Sequence, residues 1–483
     1  MNLKKYFIVV LVLCVLPGMA FAVPYASQIR VGSTELTEGQ GANIDYFLNQ
    51  AADTVTIEIV NRNTSSVAAT FSGTTDEGAN SVTWDGSVNN SGGANIPGGP
   101  YRVKITANKN VADGWSQIKS NSSLGNYVEG TDLQTLFSGF SGKDTLISND
   151  PDSDYFGYMF VSSSYSNPAI YGFIVLNPDL TVYDGNDGSD SVMNLPIVTA
   201  NNQATWGVKW DVENTDSVWN VGQADPNITF AENPFEEDMV DADPDDNATG
   251  YSWRGCAPTI EGASKYLYIA ANNDGSIYKI DVTGDETKAP FIQIGGGFTT
   301  TTYYSKDVEF DSNGNLYWTA RNDGGTTGGK VYRFDASVIA AADAAGYLGD
   351  ATAAWNISVP AADTHTKGIA ISDDGDVYVA TDQALYLIDN TSTATLTKTL
   401  ATEDMVLDFS TITPEWSPSG YGCNITMDYG GNIYMPETAN EQIRLLSPNG
   451  NTSVAVNAPL SQNISVVIPP TPSSGMDTWA IYK

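Results

Sequence analysis

The stretch GIAISDDGDVYVAT, residues 368–381, combines two short alternating strands with a polar turn between them. Alternation of apolar and polar side chains with a period of two is typical of a strand that buries one face. A glycine at the end of a polar turn supplies the left-handed backbone conformation that tight turns need. The stretch therefore predicts a β-hairpin in which Gly375 closes the turn and Tyr378 lies in the second strand.

The same hairpin pattern recurs along the chain. It is found without a gap as VEFDSNGNLYWTA at 308–320 and ITMDYGGNIYMPE at 425–437, and in looser form at 208–222 and 259–271. A third strand follows most copies, at 275–282, 329–336, 383–390 and 441–448, and residues 157–177 match the second and third strands of a further copy. Such repeated units are typical of a β-propeller, because each sheet buries its faces only against its neighbours. We expect an all-β chain with six blades. A seventh blade forms if residues 109–130 pair with residues 476–483.

The chain begins with the pattern of an export signal. Lysines precede an apolar run, and the small residues Ala20 and Ala22 follow it. Such a segment predicts a secretory leader over residues 1–22, with cleavage before Val23 and a secreted or cell-surface protein. The apolar run is short for a bilayer and no later stretch reaches about 18 uninterrupted apolar residues, so we expect no membrane insertion.

The chain is strongly acidic, with 57 Asp and Glu residues against 22 Lys and Arg residues and a formal net charge of −35. A surface of this sign repels nucleic acid and anionic membranes. We therefore expect no nucleic-acid partner but an extracellular polymer or protein ligand, with self-assembly as a further interpretation.

An amino-terminal module precedes the repeats. Val55, Ile57 and Ile59 alternate with polar residues, and a second pair of alternating strands flanks an Asn- and Gly-rich turn within residues 80–107. These strands predict a small antiparallel sandwich over residues 23–108, with Trp84 in its core. Residues 109–130 are then a linker or a closing strand, and residues 131–483 form the propeller.

The sandwich carries a motif of a known family. The run TWDG at 83–86, followed by Pro97, Gly99 and Tyr101, resembles the Ig-like domain of the FlgD flagellar-hook-cap family. Two departures are a longer glycine-rich turn and Pro100 before the tyrosine. The resemblance implies an Ig-like fold and says little about function, because such modules are attached to many exported bacterial proteins.

The repeat, best matched at 368–379, resembles the NHL-type and gluconolactonase-like β-propellers. The resemblance implies the blade architecture and leaves activity open, because these families include hydrolases, lyases and binding platforms. Gluconolactonase-like enzymes hold a divalent metal with Glu, Asn and Asp near the channel. The aligned positions here offer no such carboxylate set, so this chemistry is not carried over and we expect no required cofactor.

The residue that enters the innermost strand of each blade is expected at the mouth of the central channel, where propellers usually hold ligands. Counting five residues back from each turn predicts a ring at that mouth: Trp206, Cys256, Lys306, Lys367 and Cys423. His365 is expected on the loop just above the ring. We therefore predict that Trp206, Lys306, Lys367 and His365 bind a ligand. Cys256 and Cys423 are three blades apart in a six-bladed ring, too distant for a disulfide, so we predict two free thiols.

His365, the only histidine in the chain, is the candidate catalytic residue. Histidine titrates near neutral pH and can transfer a proton, and Lys306 and Lys367 would form an anion clamp beside it. The alternative interpretation is a loop histidine bonded to the backbone and two solvated lysines.

Three acidic stretches are candidates for calcium binding: 149–157, 184–191 and 241–250. Asp241, Asp243 and Asp245 alternate as in the first half of a calcium loop, but the glycine at position 6 and the closing glutamate are missing. The alternative is a solvated acidic loop.

These features together predict an exported, non-enzymatic binding, adhesion or surface-assembly protein that presents a propeller. The alternative is a propeller hydrolase or lyase that acts at the channel mouth through His365 and the lysines. A subunit of an extracellular filament or layer is a third interpretation.

Overall fold

The structure is a computed structural model that describes residues 23–120, 142–153, 155–163, 172–181, 205–213, 216–222, 228–232, 240–242, 253–272, 275–285, 288–295, 303–322, 328–342, 347–349, 351–361, 363, 365–389, 396–412, 424–437 and 442–467. The predicted leader over residues 1–22 lies outside these ranges.

The amino-terminal part of the chain forms the predicted sandwich. Its strands are β1 (Ala26–Val31), β2 (Glu35–Thr37), β3 (Ala42–Leu48), β4 (Thr54–Asn61), β5 (Val67–Ser72), β6 (Gly78–Trp84) and β7 (Gly99–Ser120). One sheet has the order β1, β3, β6, and in the other β4 pairs with β5 and β7. Trp84 is fully buried between the sheets, as predicted, and its Nε1 donates to the Ser87 carbonyl at 2.8 Å.

Six blade sheets follow in the described part of the chain. The first has β8 (Gly142–Ile147), β9 (Met159–Ser163) and β10 (Gly172–Leu176), and the second has β11 (Thr205–Trp210), β12 (Val218–Gly222), β13 (Ile228–Ala231) and β14 (Val240–Asp241). The third has β15 (Trp253–Glu261), β16 (Ser264–Ala271), β17 (Ser276–Asp281) and β18 (Lys288–Gly295), and the fourth has β19 (Tyr303–Phe310), β20 (Leu316–Asn322), β21 (Lys330–Phe334) and β22 (Trp355–Ser358).

The fifth sheet has β23 (Thr366–Ile371), β24 (Val377–Thr381), β25 (Ala384–Ile388) and β27 (Met405–Asp408), while β26 (Leu396–Thr399) adds in parallel to β22. The sixth has β28 (Thr426–Met427), β29 (Ile433–Glu437) and β30 (Gln442–Asn457), and β31 (Ile464–Val467) ends the described chain. Helix α1 (Ala336–Ala340) and single 3₁₀ turns at Thr402–Asp404, Phe409–Thr411 and Leu460–Gln462 connect strands. None of the helices in these ranges has the length and apolar composition to span a bilayer.

The first strands of the six sheets surround a central channel. Strands β8, β11, β15, β19, β23 and β28 contact one another in that order, and β28 contacts β8. Apolar clusters fill the spaces between adjacent sheets, for example the cluster that contains Trp219 and Trp253. Sheets that radiate from a channel and cover one another confirm the predicted β-propeller. The blade count of the whole chain, six or seven, stays a prediction.

The hairpin turns of the three gapless copies share one local structure. Each begins with a side-chain oxygen that accepts the backbone N–H four residues on, at 2.8 to 3.0 Å: Asp311, Ser372 and Asp428. The turn glycines Gly314, Gly375 and Gly431 have φ values between 78° and 88°. Because side chains rarely tolerate this conformation, glycine at this position lets each turn close.

Strands β7 and β30 form one long antiparallel ribbon that belongs to both domains. In the sandwich, residues 104–110 pair with residues 451–457, and in the propeller, residues 114–120 pair with residues 444–449. The far half of β7 is thereby the outer strand of the sixth blade sheet, next to β30.

This ribbon corrects the predicted division of the chain. Within the 109–130 segment, residues 114–120 form a closing strand, and their observed partner is 444–449; residues 121–130 and 476–483 lie outside the described residues. Residues 451–467, predicted as propeller, complete the sandwich because they cover the edge of β7 that β4 leaves open. Val456, Ile464 and Val466 are buried in the sandwich core.

Candidate ligand-binding site

Five innermost strands carry a β-bulge at the entry end of the channel, close to where each strand begins. The bulges place these residues at equivalent positions around the channel: Lys143, Trp206, Arg254, Lys306 and Lys367. The predicted positions of Trp206, Lys306 and Lys367 agree with this register. Their role in ligand binding stays a prediction.

The third position of the predicted ring needs a correction. The bulge residue of β15 is Arg254, whereas Cys256 is buried in the apolar cluster that contains Trp253. Counting from the turn gave the wrong residue because seven positions separate Arg254 from Glu261, where five separate Lys306 from Asp311. Cys256 is a free thiol, and Cys423 lies outside the described residues.

Basic side chains concentrate at this entry end although the chain is acidic. Lys143, Arg254, Lys306 and Lys367 are all buried. The Lys143 Nζ lies 4.5 Å from the centroid of the Trp206 ring, and the Arg254 Cζ lies 3.2 Å from it. Cations over an indole face are attracted by its electron density, so Trp206 holds two of these charges together.

One carboxylate joins His365 to Lys367. Asp382 Oδ2 is hydrogen-bonded to His365 Nδ1, and Asp382 Oδ1 lies 2.8 Å from Lys367 Nζ. Burial alone would raise the pKa of Asp382, but the contacts with His365 and Lys367 outweigh burial and lower it. A carboxylate at Nδ1 orients the imidazole ring. The arrangement is a histidine–aspartate pair beside a lysine.

Buried polar groups follow the basic residues along the innermost strands. They include Asp144, Asp307 and Asn424 and are called the polar belt here. Asp144 Oδ2 accepts the Val208 backbone N–H at 2.9 Å and the Asn424 Nδ2–H at 3.2 Å. Asp307 Oδ2 accepts the Ile369 backbone N–H at 3.0 Å. Each carboxylate therefore bonds to the following blade, and the belt ties adjacent innermost strands together.

At the exit end, where the innermost strands finish, the channel widens into a cavity of about 580 Å³. Each of the six blade sheets contributes to its wall, among others through Ile147, Trp210, Pro258, Phe310, Ile371 and Met427. A volume of this size is typical of small-molecule sites. The polar belt lies between this cavity and the basic entry end along the strands.

One ion pair, between the buried Lys209 and the half-buried Glu309, lines the cavity. Burial alone would lower the pKa of Lys209, but Glu309, Asp307 and Asp144 outweigh it and raise that pKa. Burial also raises the pKa of the Asp144 and Asp307 carboxyl groups, and Lys209 opposes that rise. The lysine is therefore charged, and its partner in the cavity is the Glu309 carboxylate.

Two aromatic side chains of the cavity wall, Trp210 and Phe310, are held in place by contacts with neighbouring residues. Trp210 Nε1 donates to the Ile147 carbonyl at 2.7 Å, and Phe160 packs edge-on against the Trp210 ring at 5.5 Å between centroids. Tyr268 packs edge-on against Phe310 at 5.1 Å. Both rings therefore keep their orientation without a ligand, which lowers the entropic cost of binding.

The calcium candidates fall largely outside the described residues. This holds for 184–191, for Asp243 and Asp245, and for the side chain of Asp241. In the stretch 149–157, the Asp150 and Asp152 carboxylates accept backbone N–H groups. Within the described ranges no group of three or more His, Cys, Asp or Glu side chains is arranged to hold a metal ion.

The sequence analysis did not predict the exit-end cavity or its aromatic lining. Lys209 and Trp210 come directly before the turn residue Asp211, and Glu309 and Phe310 come directly before Asp311. The repeat register therefore contained the signal: an aromatic residue and a charged neighbour at equivalent positions of two blades. The prediction considered only the end of the channel where the strands begin.

Residues 32–110 match the family model of the FlgD Ig-like domain. The match confirms the resemblance predicted for the sandwich. The comparison with curated proteins found no match.

Similar solved structures include a gluconolactonase from Xanthomonas campestris, with 10% identity and a TM-score of 0.37 over 64% of this chain and 86% of that chain. A quinonprotein alcohol dehydrogenase-like protein from Bacteroides thetaiotaomicron has 10% identity and a TM-score of 0.32 over 92% and 98%. PorZ, a surface component of the type-IX secretion system of Porphyromonas gingivalis, has 15% identity and a TM-score of 0.33 over 86% and 57%. Likenesses at this level carry no argument about function, and the propeller assignment rests on the strand pairing.

Proposed function

We propose that the protein is an exported binding protein, and that its exit-end cavity holds a neutral saccharide of an extracellular polymer. The observation that carries the proposal is a cavity of about 580 Å³ with fixed aromatic walls and one ion pair. Ligand sites typically combine a concave, mostly apolar wall with a few polar groups that orient the ligand.

A sugar ring suits this lining because it presents an apolar C–H face and a rim of hydroxyl groups. The rings of Trp210 and Phe310 offer apolar faces, while Lys209 donates and Glu309 accepts hydrogen bonds. Hydrogen bonds to charged groups are stronger than those between neutral groups. The net charge of −35 disfavours an anionic polymer, so a neutral saccharide is the ligand class we propose.

The proposal is tested on an array of immobilised neutral and acidic oligosaccharides. We expect the processed protein to retain at least one neutral oligosaccharide. Trp210→Ala and Glu309→Gln should each weaken that binding about tenfold or more, because each removes a direct contact worth roughly 1.4 kcal/mol. Titration calorimetry on the selected oligosaccharide gives the change in Kd.

The matched control is Glu58→Gln, since Glu58 also pairs with a lysine, Lys104, at 2.8 Å, but does so in the sandwich. This variant should bind like the wild type. Circular dichroism confirms that each variant is folded. Retention of acidic oligosaccharides alone, or binding that survives both cavity substitutions, would contradict the proposal.

A second candidate function is a hydrolase or lyase that acts at the entry end. The observation that favours it is the His365–Asp382 pair beside Lys367, in which a carboxylate orients the imidazole ring. In this case the protein turns over lactones, esters or uronate polymers, and His365→Ala abolishes turnover. Binding in the exit-end cavity with no turnover, unchanged in His365→Ala, supports the binding protein instead.

A further inference from the structure

The backbone of Val23 is enclosed between the sandwich and the sixth blade sheet. Its nitrogen donates to Asn432 Oδ1 at 2.8 Å and to Ser447 Oγ at 3.0 Å. Its carbonyl accepts from Asn49 Nδ2 and Asn432 Nδ2, each at 3.1 Å. Val23 is only 4% exposed, and the three polar side chains that hold it are fully buried.

These polar side chains are themselves held in place. Ser447 Oγ donates to Asn432 Oδ1 at 2.6 Å, and Asn432 Nδ2 donates to the two carboxylate oxygens of Asp428 at 3.0 and 2.8 Å. The Asn49 Oδ1 accepts the Tyr25 backbone N–H at 2.9 Å. The pocket around Val23 is therefore a built and buried polar site, and the Asp428 carboxyl group lies one hydrogen bond behind it.

The number of acceptors exceeds what a peptide nitrogen can use. An amide N–H has one hydrogen, which Asn432 Oδ1 and Ser447 Oγ must share, whereas an ammonium group has three. The residue held is also the one that follows the small-residue pattern of Ala20 and Ala22. We propose that the pocket binds the α-ammonium group of a mature chain that begins at Val23, and so completes the contact between sandwich and propeller only after the leader is removed.

The step that creates this group is hydrolysis by a leader peptidase. Water adds across the Ala22–Val23 peptide bond, Ala22 keeps the new carboxylate and Val23 the new ammonium group. The ammonium group then donates separately to Asn432 and Ser447, and the Asp428 carboxyl group is the nearest acidic group along the hydrogen-bond chain. Burial raises the pKa of Asp428 to about 7, and a nearby ammonium group favours its charged form. A buried charge is tolerated where such partners are present. This inference does not depend on the saccharide proposal.

The first experiment identifies the amino terminus of the exported protein and measures its reactivity. Mass spectrometry of protein from the culture medium should show a chain that begins at Val23. At about neutral pH an α-amine, with an ordinary pKa near ~7.8, reacts with acylating reagents ahead of lysines. We expect acylation of the Val23 α-amine in the folded protein to be at least about tenfold slower than acylation of the Ala22 α-amine in a chain that begins at Ala22. The reason is that labelling of a buried group requires local opening.

The second experiment compares full-length chains that begin at Val23, begin at Ala22, or carry an acetylated Val23. All three keep every side chain, so folding is not at issue. The free Val23 chain should melt higher than the other two by about 2 °C, the shift expected for one lost buried hydrogen bond in a protein of this size. Ser447→Ala should reduce the difference between the free and acetylated chains.

As a control, Ser410→Ala changes a serine on a 3₁₀ turn far from Val23 in the chain and should leave that difference unchanged. The inference fails if the exported chain begins at another residue, if free and acetylated chains melt together, or if acylation of Val23 is as fast as that of Ala22. These outcomes leave ligand binding in the cavity untouched.

Discussion

At the scale of single residues, two neighbouring carboxyl groups at the entry end have pKa values shifted in opposite directions. Asp382 contacts His365 and Lys367, and these partners lower its pKa. Asp363 is buried close by and accepts a hydrogen bond from Thr381 Oγ1. Burial first, and then the charge of Asp382, raise the pKa of Asp363 to about 6. The pKa of an aspartate in this part of the protein therefore depends on the groups that contact it.

We expect Asp363→Asn to remove a pH-dependent part of the stability. An unfolded aspartate titrates near ~3.9, and folded Asp363 titrates at about 6. Between these values the folded state keeps a proton that the unfolded state loses. The contribution of Asp363 to the free energy of unfolding should therefore be largest below about pH 4 and fall by up to about 3 kcal/mol as the pH rises to about 6.

Thermal melts of wild type and variant at about pH 4.5 and pH 7 measure this effect. The Tm of Asp363→Asn should increase relative to the Tm of the wild type as the pH rises, because the asparagine cannot ionise. Asp373→Asn, a substitution of an exposed turn residue, is the control and should leave the difference constant. A difference between wild type and Asp363→Asn that is the same at both pH values would show that Asp363 does not hold its proton.

Residues at this scale were only partly predictable. His365 and Lys367 could be nominated because histidine is unique in the chain and the lysine has a place in the repeat register. Asp382 and Asp363 could not, because their contacts arise where the end of β24 folds back against the loop before β23.

At the scale of elements, the bulges of the innermost strands fit together through glycines. A Cβ added to Gly207 would lie 2.7 Å from the Arg254 carbonyl oxygen, and one added to Gly368 would lie 2.5 Å from the Ile425 nitrogen. In each case the contact is with the backbone of the following blade, which cannot move without opening the ring. Glycine is required here by close approach, whereas in the hairpin turns it is required by backbone conformation.

Gly368→Ala should therefore destabilise the propeller by about 2 kcal/mol or more, because overpacking against fixed backbone forces the blades apart. The measurement is the midpoint of urea unfolding. Gly349→Ala is the matched control, since a Cβ at Gly349 would meet no atom within 4 Å. It should leave the midpoint unchanged or raise it slightly. Equal midpoints for the two variants would argue against tight packing at the bulge.

The repeated hairpins were predictable as elements because their signals are local. Alternation, a polar turn opener and a turn glycine all lie within about 13 residues. The bulges were not predictable, and the count back from the turn reached Cys256 where the bulge holds Arg254. The reason is that strand β15 is longer between bulge and turn, a length that its own sequence does not mark.

At the scale of the whole molecule, the sandwich is built from two distant parts of the chain. Residues 451–457 pair with 104–110, and β31 pairs with both β7 and β2. Val456 and Ile464 contribute to the sandwich core. The ribbon of β7 and β30 then continues into the sixth blade sheet, so the two domains share a pair of strands.

We expect residues 23–110 alone to be much less stable than the same segment joined to residues 451–467. Asn110 and Asn451 are antiparallel partners, so an Asn-Gly turn can connect them directly. The joined chain should resist proteolysis and show a cooperative melt, because it restores the missing edge strand and its buried side chains. The measurement is limited proteolysis together with a thermal melt.

The control is the joined chain with Val456→Asp, which keeps the length of the segment but places a charge in the core. It should behave like residues 23–110 alone. If residues 23–110 alone melted as high as the joined chain, the carboxy-terminal strands would be an accessory to the sandwich and not part of it.

The amino-acid sequence by itself determined the repeated hairpins of the blades and the amino-terminal strands of the Ig-like sandwich, since strand alternation, turn glycines and the TWDG motif act over a few residues. Only the tertiary structure decided which strands share a sheet, which residues meet at the bulges and where the channel widens. These features depend on contacts between residues hundreds of positions apart, such as Val23 with Asn432 or β7 with β30. Local pattern sets the elements, and the burial of their faces against distant partners sets the site.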